Sequence, residues 1–170
     1  MNLAPRKMVL CLMLSIALAG CVPTLQLQNE ASQRYFDSLN FEDSMLEGNK
    51  ANGVLILVQT GYIQKNNKEQ LSIYLSCDFT APQSAKLLTA ELVDSNDLRL
   101  EPTDLGLECP ESNPGAYSQK GSGYLHFHGE AVPKLALDET LVLHVSIKTK
   151  DSVYKLKLPL TSARVWVWPT

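Results

Sequence analysis

Gln70-Leu71-Ser72-Ile73-Tyr74-Leu75-Ser76-Cys77-Asp78-Phe79 decides the architecture of this chain. Leu71, Ile73, Leu75, Cys77 and Phe79 fall on one side and Gln70, Ser72, Tyr74, Ser76 and Asp78 on the other, the period-two pattern of a strand with one buried face. Cys77 is therefore expected to point inward. The same alternation recurs downstream, with Leu141, Leu143, Val145 and Ile147 against His144, Ser146 and Lys148, then Tyr154, Leu156, Leu158 and Leu160 against Lys155 and Lys157. Lys150-Asp151-Ser152 supplies a tight turn, so these two strands form a hairpin. Upstream, the apolar run Val54 to Gln59 reads as a central strand, and Asn66-Asn67 turns the chain toward Leu71. Leu87 to Val93 and Leu98 to Leu100 flank the turn Asp94-Ser95-Asn96-Asp97, while Tyr124 to His128 and Arg164 to Trp168 complete the set. About seven to nine short strands linked by turns, with no strand-helix alternation, predict an all-β fold over residues 51–170. The expected form is an antiparallel β-sandwich, immunoglobulin-like, or a small barrel.

The segment before this domain carries a different signal. Arg6 and Lys7 precede an apolar stretch from Met8 to Leu18, which ends in Leu18-Ala19-Gly20-Cys21. The stretch is about eleven residues, short of the roughly twenty that a membrane-crossing helix needs. The segment resembles a bacterial lipoprotein signal. That resemblance implies removal of residues 1–20, with Cys21 becoming an amino terminus that carries palmitate-type acyl chains. Val22 and Pro23 stand where inner-membrane lipoproteins typically carry Asp, so the resemblance implies the outer membrane, with the domain in the periplasm. Residues 21–50 then read as a lipid-anchored tether with a short helix. Val22 to Gln28 is the tether proper, and Asn29 caps a helix running to Leu39, with Ala31, Tyr35, Phe36 and Leu39 at helical spacing. The helix is expected to cover one end of the domain.

Charge and cysteines narrow the partners. The chain has 15 basic and 18 acidic residues. Removal of Arg6 and Lys7 with the signal leaves a net charge of about −5 without clusters of Lys and Arg, which excludes a nucleic-acid footprint. The lipid is then the main membrane affinity. Of the four cysteines, Cys11 departs with the signal and Cys21 is used by lipid, so Cys77 and Cys109 remain as a disulfide pair suited to an oxidising compartment.

Two constellations offer chemistry. His126 and His128 share one strand face, and pairing of that strand with Leu141 to Lys150 would bring His144 to them. Three neutral imidazoles with an open position suit zinc or copper, with Glu130 continuing the line as fourth ligand or hydrogen-bond acceptor. At the C-terminal end, Trp166 and Trp168 share one strand face and Val165 and Val167 the other, a candidate aromatic platform for a partner. Enzyme signatures are absent. No Gly-x-Ser-x-Gly elbow, His-Glu-x-x-His pair or phosphate loop occurs, and Lys120-Gly121-Ser122-Gly123 reads as a flexible approach to a strand. Glu42 with Asp43 and Asp138 with Glu139 are ordinary solvated carboxylates. The leading expectation is a binding or assembly subunit of an envelope complex, using the Trp166 and Trp168 face, the Pro110 to Gly123 loop or open sheet edges. The alternatives are a histidine-based metal-binding envelope protein and a small-ligand or lysozyme-inhibitor module.

Overall fold

Alternating side chains sort the strands into two antiparallel sheets with their apolar sides facing each other, a β-sandwich. The computed structural model describes residues 22–37, 43–64, 67–79, 84–109, 121–135 and 140–167. The first sheet contains β1 (Val22–Gln28), β2 (Lys50–Ala51), β3 (Val54–Gln64), β4 (Asn67–Phe79), β7 (Asp104–Leu105), β9 (Gly121–His128) and β12 (Thr161–Val167). Its order is β12-β1-β3-β4-β9-β7, with β2 beside β3. The second contains β5 (Ala85–Val93), β6 (Arg99–Leu100), β8 (Glu108–Cys109), β10 (Val142–Lys148) and β11 (Val153–Pro159). Here the order is β11-β10-β5-β6, with β8 beside β5. Among the described residues no ladder joins the sheets, so the sandwich holds and the barrel does not. The chain changes sheet between β11 and β12, where the Leu160 amide donates to the Leu141 carbonyl at 2.8 Å.

Turn chemistry places the hairpins as their sequences predict. Asp94 Oδ1 accepts the amides of Asn96 at 2.9 Å and Leu98 at 2.8 Å, and Asp97 takes a left-handed φ of 62°. At the other hairpin the Thr149 amide donates to the Ser152 carbonyl at 2.9 Å. Ile73, Leu75, Leu125, Phe127, Leu92 and Leu143 fill the space between sheets. Burial of each such side chain contributes about 1.5–3 kcal/mol.

The amino-terminal segment departs from expectation. Val22–Gln28 is not a tether but strand β1, paired along its whole length with β12 from Val22↔Val167 to Gln28↔Thr161. It also meets β3 at Gln26↔Tyr62 and Leu27↔Gly61. The cause is a short alternation, Leu25 and Leu27 against Gln26 and Gln28, that leaves Leu27 only 1% exposed. The sandwich therefore begins well before residue 51.

Helix α1 (Glu30–Asp37) and a 3-10 helix (Asp43–Asn49) lie on the outer side of β3. Val54, Ile56 and Val58 face the main core, whereas Leu55 and Leu57 form a second cluster with Leu46, against which Ala31 and Tyr35 pack. Phe36 is largely exposed, and Leu39 lies outside the described residues. A buried polar network locks this cover to the sheet. Asn29 Oδ1 caps α1 by accepting the Ser32 amide at 2.9 Å, and also accepts Ser32 Oγ at 2.7 Å and Asn49 Nδ2 at 3.0 Å. Asn29 Nδ2 donates to the Pro159 carbonyl, Asn49 Nδ2 to the Ile56 carbonyl, and the Val58 amide to Ser32 Oγ. Four segments, α1, the 3-10 helix, β3 and β11, are thus joined by three buried side chains.

Cys77 in β4 and Cys109 in β8 form a disulfide with a Cα–Cα distance of 6.1 Å, which links one sheet to the other. Beside it, Gly121 and Gly123 are not a flexible approach but the first residues of β9. A Cβ on Gly121 would stand 2.1 Å from the Glu108 carbonyl oxygen, and one on Gly123 2.5 Å from that of Gly106, so close backbone approach requires both glycines. The remainder of the expected loop, residues 110–120, lies outside the described residues.

Candidate binding face

The outer side of the first sheet is divided. Its β3 portion lies under α1 and the 3-10 helix, whereas among the described residues no helix lies over the Tyr74–Tyr124 pair of β4 and β9. There the register sets Tyr74 opposite Tyr124 and Ser72 opposite His126, with Asp104 of β7 opposite His126 on the other flank. The Tyr74 and Tyr124 rings lie 4.7 Å apart, tilted by 41°, and Tyr124 stacks on the His126 imidazole at 5.7 Å and 8°. Tyr124 is 43% exposed, a large value for an aromatic side chain in the middle of a strand. His126 Nδ1 shares a 2.9 Å hydrogen bond with the buried Ser72 hydroxyl. The Thr103 amide and hydroxyl both donate to the His126 carbonyl, at 2.7 and 3.0 Å, and hold the edge segment against β9. These contacts give a preorganised aromatic and hydrogen-bonding ladder. Rigid amphipathic rings with few rotatable bonds suit peptide, protein or glycan contact.

The second sheet presents a charged groove of about 390 Å³ on its outer side, lined in part by Glu91, Arg99, His144, Lys155 and Lys157. Glu91 and Lys157 flank His144 in register. His144 Nδ1 lies 3.2 Å from Glu91 Oε1, to which Arg99 also donates at 3.1 Å. Asp97, through its hydrogen bond and its charge, and then Glu91 raise the Arg99 pKa above its ordinary value, so the guanidinium stays charged.

The three imidazoles expected to converge are not brought together. β9 pairs with β4 and β7, and β10 with β5 and β11, so the pairing that would join His144 to His126 and His128 is not made. His126 and His128 do share the outer face of the first sheet, but His144 lies on the outer face of the second, with the core between them. Sheets pack about 10 Å apart and outward side chains diverge from there. Glu130 does not continue the histidine line, because β9 ends at His128 and Gly129, with a φ of 131°, turns the chain away. Among the described residues there is no group of three or more His, Cys, Asp or Glu that could hold a metal ion.

Trp166 belongs to β12, opposite Pro23 in β1. Its side chain and all of Trp168 lie outside the described residues, as does Cys21. The aromatic face that can be described is Tyr74–Tyr124–His126, which sequence reading passed over because the two tyrosines are fifty residues apart and meet only through the β4–β9 register. No helix among the described residues is long and apolar enough to cross a membrane.

No protein-family model matches this chain, and no curated protein matches it. Among solved structures, the GAE domain of yeast GGA1 is similar at 11% identity and a TM-score of 0.28, covering 69% of this chain and 95% of that one.

Proposed function

We propose that this chain is a lipoprotein anchored to the outer membrane through Cys21, whose periplasmic sandwich acts by recognition as a binding or assembly subunit of an envelope complex. The observation that carries this reading is the open ladder of Tyr74, Tyr124 and His126 beside a portion of the same sheet that is fully covered. The fold covers Leu55 and Leu57 on that face. It leaves exposed a tyrosine whose ring is stacked and whose neighbours are hydrogen-bonded, the arrangement of a preorganised contact rather than of leftover core. Anchoring confines the domain to the membrane surface and raises its effective concentration toward other membrane components. Recognition needs neither the metal nor a catalytic group, and His126 serves as a stacking and hydrogen-bonding contact.

A photoreactive amino acid at position 124 of the lipidated protein in intact cells tests this directly. One envelope protein should be captured from position 124 and not from the more accessible position 153, on an edge strand of the second sheet, where Val153 is 54% exposed. Capture from neither position, or the same products from both, refutes the assignment of the face. The anchor has its own test, since Cys21→Ser should abolish fatty-acid labelling.

A further inference from the structure

β1 starts at Val22, so a lipidated Cys21 would be joined to the first sheet with no intervening linker. The connection is firm, because seven consecutive register pairs bind β1 to β12 and two more bind it to β3. Acyl chains on Cys21 reach into hydrocarbon only if its backbone lies at the headgroups. A bilayer whose hydrocarbon is about 30 Å thick and whose full thickness is about 40–45 Å has roughly 5–7 Å of headgroup on each side. Strand residues rise about 3.3 Å each, which puts Val22 and Pro23 within that layer or at its border. Their register partners are Val167 and Trp166. Trp166 is thus carried by backbone pairing to the depth of the headgroups, and Trp168 follows two residues later in the sequence. Tryptophan, with an apolar ring and one polar N–H, is the residue type that favours this layer.

We infer that the sandwich stands directly on the bilayer by the end of the first sheet where β1 begins and β12 finishes, which brings the backbone of Trp166 to the headgroups. This rests on the reading of Cys21 as the lipidated residue. The consequence is a fixed orientation in place of a domain on a leash. The same end of the sheet contains the last residue of β3, the first of β4 and the last of β9. The opposite end, toward Phe79 and the Cys77–Cys109 disulfide, stands away from the membrane by about 40 Å along the thirteen residues of β4 at a strand rise of roughly 3.3 Å. A partner reaching the Tyr74–Tyr124–His126 ladder approaches from the side.

Trp166 and Trp168 are the only two tryptophans in the chain, so intrinsic fluorescence reports on this end alone. The full-length precursor is expressed, processed and purified in its acylated form, then placed in phosphatidylethanolamine–phosphatidylglycerol vesicles that contain lipids brominated near the headgroup or near the chain end. A blue shift and loss of about half the emission with the shallow bromines, smaller with the deep ones, is the expected result for interfacial indoles. Trp166→Phe and Trp168→Phe assign the quenching to each ring, and a protein lacking residues 1–21 gives the unanchored baseline. Acylated protein, verified by its mass, whose emission matches that baseline overturns the placement alone. Absence of acyl mass on Cys21 overturns the anchor and the placement together. A variant with a long Gly/Ser insertion between Cys21 and Val22 should remain acylated and lose the quenching, and retention of full quenching there would show that the short connection does not set the depth.

Discussion

The two halves of the outer face of the first sheet obey one geometric rule and end differently. On β3 the outward positions are Leu55 and Leu57, and α1 with the 3-10 helix closes over them. On β4 and β9 the outward positions include Ser72, Tyr74, Tyr124 and His126, and no described element lies over the tyrosine pair. An apolar position on a sheet surface demands a cover, and the polar network of Asn29, Ser32 and Asn49 fixes that cover in place. An aromatic with a polar tip can remain half in water, and it is then available to a partner. The covered half should account for stability and the open half for recognition.

The largest loss should come from what both halves share. Cys77→Ser with Cys109→Ser releases a loop closed over 32 residues and should lower stability by roughly 3–4 kcal/mol on the loop-entropy account. Urea unfolding of reduced and oxidised protein measures it, and one cooperative transition should serve both halves. Two separated transitions would break the comparison into independent units. Next, Leu57→Ala leaves a cavity beneath the cover and should cost about 2–4 kcal/mol. Asn29→Ala removes the cap and strands the groups that its side chain satisfies, for a loss of about 2 kcal/mol in the same assay. If either substitution in the covered half proves neutral, the cover is an accessory and not part of the fold.

These differences were unequally legible in the sequence. The alternation from Gln70 to Phe79 foretold β4, and the apolar run Val54 to Gln59 foretold a central strand without naming the element that would cover its outer leucines. Asn29 as a helix cap was readable because capping is a local interaction. β1 was not read, because the Leu25/Leu27 alternation is brief and follows Pro23 in a stretch next to the segment that resembles a lipoprotein signal. β2, β7 and β8 have two residues each, too few for any period to register. The tyrosine ladder required strand order, which no local pattern contains, and the imagined histidine cluster failed for the same reason: it assumed a β9–β10 pairing that the sheets do not make.

The smallest expected effect on stability is also the one that decides what the open half is for. Tyr124→Ala removes a ring that is 43% exposed and a tilted pairing with Tyr74. An aromatic pair contributes about 0.5–1.5 kcal/mol beyond area burial, and the exposed portion of the ring already forgoes part of its burial term, so a loss near 1 kcal/mol is expected. Partner capture should nevertheless fall severely, because truncating an aromatic at the centre of an interface typically costs 2 kcal/mol or more of binding, which is about thirtyfold in affinity. Tyr124→Phe keeps the ring and separates the two contributions. If it binds like wild type, stacking alone is recognised, and if it binds like Tyr124→Ala, the phenol hydroxyl is the contact. A Tyr124→Ala protein that folds and still captures its partner at full strength would erase the functional difference between the halves and leave the ladder as an ordinary cross-strand pair.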